Sequence, residues 1–247
     1  MRSSIRKIVE YLKGMSFDRL LLPFPESLTS FFLKFIYGGI SFEELLSTAS
    51  EKNCLPEPIE WFRYLYEPLI KAIPLLKTRL PRLDIACYKD PDSVFKVNEL
   101  AAYKASLMLY TAISGRVKVR EWKELLKDEF ESDKTSISNA AYRIIRSYHP
   151  LAYTVCVAHL EGRHLLESLR RRILQVKLKY IGIPYLFTPL EVLKRLVSIR
   201  GLSKIPDEVI ERYVKLHVDY IRNYIVPSGE LDIGYFKWLV KRLKNLP

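Results

Sequence analysis

The chain contains a single glutamine, Gln175, and four histidines among its 247 residues. Its three cysteines, Cys54, Cys87 and Cys156, are odd in number and far apart. They fit no C-x-x-C spacing, which excludes the common zinc and dithiol motifs. Buried thiols in a reducing cytoplasm are the expected reading. No apolar run approaches the about 20 residues that a transmembrane helix requires. The opening MRSSIRKIVEYLKG has no hydrophobic core segment of a secretory signal, so a cytoplasmic location is expected. There is no P-loop, G-x-G-x-x-G, H-E-x-x-H or G-x-S-x-G, which argues against the commonest nucleotide-binding, zincin and serine-hydrolase classes.

What is present is charge. Lys and Arg number 40 against 28 Asp and Glu, a formal net charge of +12. Few amides beside many charges is a thermophile-like balance. The basic excess is uneven. Residues 161–200 carry nine Lys/Arg against three Glu, the cations including Arg170, Arg171, Arg172, Lys177 and Lys179. Tyr180 and Tyr185 are interleaved with these cations. Such a patch could meet a nucleic acid or an acidic protein, or it could be a solvated face. Leu174, Val176, Leu178 and Tyr180 alternate with polar residues, which predicts an extended segment with those four turned inward.

Three short apolar runs read as strands buried on both faces: Asp18–Phe24, Leu83–Tyr88 and Ala152–Ala158. Long helical stretches separate them, and that separation requires crossover connections and a parallel sheet. Helices are expected over residues 4–13, from a Ser27 cap to Tyr37, from a Ser41/Glu44 capping box onward, and over 58–76. Pro68 and Pro74 should kink or divide the last of these. Three more segments are expected at 94–114, 119–130 and 134–147. After Ile173 the texture becomes helical throughout. It has a Thr188–Glu191 capping box, a stop at Gly201, a long helix from Pro206, and Asp232 as the cap of the final helix.

The fold class is therefore α/β, with a small, mainly parallel sheet, a large helical insertion at about 93–148 and a helical C-terminal region. The expected domains are 1–172 and 173–247. A doubly covered sheet normally begins with a strand, whereas this chain begins with a helix, so a further strand upstream of Met1 is expected.

In open α/β sheets chemistry gathers at the carboxyl ends of the strands. The most informative stretch is LAYTVCVAHLEGRHLLESLRRR, where an apolar run meets His159, turns at Gly162 and enters a helix. Glu26 follows the first strand and Asp90 the second. Parallel strands would bring His159, Glu26 and Asp90 to one edge, where they could serve as acid and base or hold a divalent metal. The alternative is that Glu26 complements a helix dipole and Asp90 forms a turn.

DRLLLPFPESL, then LDIACYKD, then a helical insertion, then AYTVCVAHLEGRHLLESL resembles the TraB/Tiki/ChaN superfamily. His159 and Gly162 match its late motif, although Cys156 stands where a glycine is usual. The first G-x-x-H of the family is absent, and Glu131–Ser132–Asp133 has the paired acids of the insertion without the arginine. The resemblance implies a sheet-and-insertion fold of metal-dependent hydrolase ancestry, from an archaeal or thermophilic cytoplasm. The altered motifs imply a ligand-binding or regulatory protein with weak or no hydrolase activity. The competing expectation is a basic interaction protein that binds nucleic acid or an acidic partner through residues 163–200.

Overall fold

The structure is a computed structural model and describes residues 2–55, 58–173, 175–182 and 185–244. Leu174, expected on the inward face of the extended segment, lies outside the described residues. Three strands form one sheet in the order β2-β1-β3, with β1 at Arg19–Pro25, β2 at Asp84–Lys89 and β3 at Thr154–Cys156. Both pairings are parallel. The α/β class expected from the long connections is therefore the one observed.

Alternation along the strands builds two cores. Leu20, Leu22 and Phe24 of β1, with Ile85 and Cys87 of β2 and Val157 beyond β3, face one side. There they pack on α1 (Arg2–Lys13), α2 (Thr29–Ile36), α3 (Phe42–Glu51) and α4 (Ile59–Arg79). Leu21, Ala86, Tyr88 and Cys156 face the other side. They meet α6 (Val119–Arg146) through Ala140, Ala141 and Ile144, and α7 (Gly162–Arg170) through Leu165 and Leu169. Leu20 and Leu22 are fully buried, and each such side chain contributes about 1.5–3 kcal/mol of apolar burial.

β1 runs through Pro23 and ends at Pro25. The Leu21 carbonyl accepts the Val157 N–H at 2.9 Å, and Pro23, two residues further along β1, has no N–H to offer a neighbouring strand. Pairing with β3 stops at Cys156, while β2 follows β1 as far as Pro25 after an irregularity beyond Leu22. The chain leaves the sheet after Val157, and the Tyr88 hydroxyl donates to its carbonyl at 2.9 Å.

Two helices are undivided where the sequence expectation allowed or required a division. α4 runs through Pro68 and Pro74. Pro68 leaves the Tyr64 carbonyl without its helical donor, and the Arg2 guanidinium fills that place at 3.1 Å. α6 continues through Glu131–Ser132–Asp133, where neither glycine nor proline interrupts it. Ser27 lies inside a short 3-10 turn, Glu26–Leu28, that precedes α2 and carries no side-chain cap.

By internal contacts the chain forms two compact units. One comprises residues 2–98 and 132–182 and holds the sheet. The other takes residues 99–131 and 183–247. Residues from α5 (Asp92–Ser114) and α6 therefore enter both units. In the second unit Leu107, Trp122 and Leu125 pack with Leu193 of α8 (Pro189–Arg200) and with Ile210 and Val214 of α9 (Asp207–Tyr220). Tyr220 joins Tyr235 and Trp238 of α10 (Leu231–Lys244) in a separate aromatic cluster. Asp232 lies in the first turn of α10 rather than before it. Glu129 is almost wholly buried and is held between Lys104 at 2.5 Å and Lys194 at 3.0 Å. Among the described residues no helix is long and apolar enough to cross a membrane.

Candidate functional site

All three sheet-end residues singled out from the sequence lie past the carboxyl ends of the strands. Glu26 directly follows β1, Asp90 directly follows β2, and His159 lies three residues beyond β3. Glu26 and Asp90 are brought together by a residue that sequence reading missed, Arg143 of α6. One of its nitrogens pairs with Glu26, and another lies 3.2 Å from Asp90. Arg146, one helical turn on, reaches the second Glu26 oxygen at 2.9 Å. Asn139, one turn before Arg143, donates to the other Asp90 oxygen at 2.7 Å. The three residues recur at helical spacing, so among the described residues one face of α6 supplies these donors to the two carboxylates. The i, i+4, i+7 pattern Asn139–Arg143–Arg146 was the signal available in the sequence.

His159 keeps different company. Its Nε2 forms a hydrogen bond with the Tyr66 hydroxyl of α4. The Tyr66 ring in turn packs edge-on against Phe24, with centroids 4.8 Å apart. Burial lowers His159 to about 4, and the nearby Glu161 only partly opposes that shift. Burial also raises Tyr66 well above the usual tyrosine range, with Glu161 adding to the effect. Tyr66 is therefore the donor and the neutral imidazole the acceptor. Burial alone would raise Glu161, but the Lys89 ammonium at 3.0 Å and His159 outweigh it and hold the carboxyl below its usual value. Burial pushes both neighbouring thiols, Cys87 and Cys156, up to about 12, so neither is a ready nucleophile.

A small cleft of about 180 Å³ adjoins the carboxylate cluster. Glu26, Thr29, Tyr88, Arg143, Arg146 and Ser147 line it, with Ala86 and Cys87 at its floor.

The donor set does not suit a divalent metal. The Glu26 oxygens face two guanidiniums, those of Asp90 face Arg143 and Asn139, and His159 Nε2 is taken by Tyr66. Among the described residues no group of three or more His, Cys, Asp or Glu is placed to hold a metal ion.

The other histidines and the basic stretch fall elsewhere. His164 is exposed near Glu167, and His149 Nδ1 accepts the Leu151 N–H at 3.3 Å. Arg170, Arg171, Arg172, Lys177 and Lys179 are all exposed. Comparison with protein-family models, curated proteins and solved structures finds no match to this chain.

Proposed function

We propose that this chain is a degenerate relative of the TraB/Tiki/ChaN superfamily that acts by binding a small ligand, or in regulation, with weak or no metal-dependent hydrolase activity. The observation that carries the reading is the charge closure at the sheet end. Arg143 is inserted between Glu26 and Asp90. A catalytic metal needs several free donors and an open coordination position. A general base works best when its pKa lies near the working pH, and burial keeps His159 far below that. The cleft beside the carboxylates offers both donors and acceptors. At about 180 Å³ it suits a ligand smaller than those of the roughly 300–1,000 Å³ pockets that hold drug-sized molecules. The amide-poor, charge-rich composition and the three unbridged thiols support a thermophilic, reducing cytoplasm as the setting.

Two measurements on the purified chain test this. Calorimetric titration with Zn²⁺, Mn²⁺ and Co²⁺, beside hydrolysis of a fluorogenic peptide library, should show no stoichiometric metal binding that depends on His159 and no metal-dependent turnover. A thermal-shift screen of small carboxylates, phosphates and guanidinium compounds should yield a stabilising ligand whose effect disappears in Arg146→Ala. Metal-dependent hydrolysis abolished by His159→Ala would overturn the proposal.

A further inference from the structure

Several cations of the basic stretch 163–200 already have partners. Arg163 pairs with Glu167 at 3.5 Å, Lys194 with the buried Glu129 at 3.0 Å, and Arg195 lies over the Phe187 ring. Residues from 183 onward belong to the other compact unit. The cations that remain with the sheet are Arg170, Arg171, Arg172, Lys177 and Lys179. All are exposed, and among the described residues none has a carboxylate partner. From Ser168 to Leu190 the chain contains no Asp or Glu.

The backbone of residues 175–182 explains how these cations are displayed. The segment belongs to no helix or sheet, and burial alternates along it, with Val176 and Leu178 half-buried and Gln175, Lys177 and Lys179 exposed. Val176 packs against the cluster of Leu165, Leu169 and Ile173, and Leu178 lies beside Gly162. Alternation then turns Lys177 and Lys179 outward. The ribbon lies along α1, with the Lys179 ammonium 3.9 Å from the centre of the Tyr11 ring and Gly182 against Ser4. Ser4, Lys7 and Tyr11 share a helix face by their spacing, so the exposed Lys7 flanks the ribbon between its two anchor points. The inward alternation expected from the sequence fails at Tyr180, which is 80% exposed because among the described residues no core cluster takes its ring beyond Leu178.

We propose that this ribbon, from Arg170 to Tyr180 with Lys7 beside it, binds single-stranded nucleic acid. Unpaired cations release counterions from a phosphate backbone, and an exposed ring offers a platform on which a base can stack. Val176 and Leu178 face inward, so among the described residues the ribbon has no exposed aliphatic side chain to anchor it in a lipid layer. An acidic protein would engage the cations but gain little from Tyr180. From Arg171 to Tyr180 the described residues form no helix that could fit a duplex groove.

The test is fluorescence anisotropy with labelled oligo(rU) and oligo(dT) of about 20 nucleotides, against duplex DNA, polyglutamate and phosphatidylserine vesicles, starting near 50 mM KCl. Both oligonucleotides should bind, with log K falling against log[salt] at a slope of about −2 to −4, as expected for about three to five phosphate contacts on a single strand. Lys177→Ala/Lys179→Ala should weaken binding about tenfold and flatten the slope by about 1.4. Tyr180→Ala should weaken oligonucleotide binding about fivefold or more through lost stacking, with an unchanged far-ultraviolet spectrum and melting temperature. No binding at low salt would overturn the proposal, as would unchanged affinity in the double-lysine variant. Equal affinity for polyglutamate or for vesicles would also overturn it, because the surface would then be recognising anions of another class.

Discussion

The guanidinium of Arg143 lies 3.2 Å from Asp90 and also pairs with Glu26, so one side chain of α6 ties the end of β1 to the end of β2. Both partners are partly buried, with 16% of the Asp90 side chain exposed. Removing the arginine leaves Asp90 with Asn139 alone and Glu26 with Arg146 alone. Arg143→Met should destabilise the fold by about 1–3 kcal/mol, since a poorly satisfied buried acceptor costs more than a bond gains. Arg143→Lys should recover only part of that loss, because one ammonium cannot reproduce the forked geometry. Urea denaturation midpoints of the two variants check both statements, and a midpoint unchanged in Arg143→Met would contradict them.

Two histidines make stability depend on pH in a defined window. Burial lowers both His159 and His217 to about 4, with Lys104 adding to the effect at His217. In the unfolded chain histidine titrates near about 6.5. Between those values the unfolded state binds the extra protons, so stability rises with pH there. The contribution is full above about 6.5 and is lost as the pH falls toward 4, on the order of 1–3 kcal/mol for each group. Glu161, held below its usual value, adds to the loss only at lower pH. Melting temperatures recorded from pH 7.5 to pH 4 should therefore fall, and His159→Gln/His217→Gln should flatten that fall.

Glu191 holds the start of α8 from several sides. Its carboxylate accepts the Thr188 N–H at 2.7 Å, the Thr188 hydroxyl at 2.8 Å and the Tyr185 hydroxyl at 2.8 Å. A capping box alone is worth about 1 kcal/mol. The added tyrosine bond raises the expected cost of Glu191→Ala to about 2–3 kcal/mol. Burial and the same carboxylate raise Tyr185 above the usual tyrosine range. An ultraviolet titration of the native protein should show that this phenol resists ionisation, and Glu191→Ala should weaken the resistance.

Gly234 of α10 packs against the π-helical segment Ile221–Ile225 that continues α9. A Cβ there would lie 2.5 Å from the Tyr224 carbonyl and 3.0 Å from the Ile225 Cα. Both are backbone atoms, so the neighbours cannot rotate away. Gly234→Ala should cost about 1–3 kcal/mol as overpacking, despite the better helix propensity of alanine. Gly39→Ala, whose Cβ would meet the Lys34 carbonyl at 3.3 Å, should cost clearly less. Differential scanning calorimetry of the two variants makes the comparison.

Much of the sheet was legible because its signals are local. Apolar runs of four to seven residues separated by long helical stretches admit only a parallel arrangement. Leu20 and Leu22 against Leu21 already announce two covered faces. The capping boxes at Ser41–Glu44 and Thr188–Glu191 were equally plain, since a cap needs only residues three apart. At Pro68 the sequence left open whether the helix is kinked or divided, because the proline rule is also local; the structure keeps α4 undivided. The compensating donor, Arg2, comes from a position sixty-two residues away in the chain.

The sequence by itself determined which segments could be strands, that they run the same way, and that Glu26, Asp90 and His159 follow their carboxyl ends. Only the tertiary structure decided that Arg143 and Arg146 neutralise the carboxylates and that Tyr66 caps the imidazole. It also decided that the basic stretch divides between two compact units. The physical reason is range. Periodicity and capping act over a few residues, whereas charge compensation and burial depend on which distant faces the packed core brings within a few ångströms.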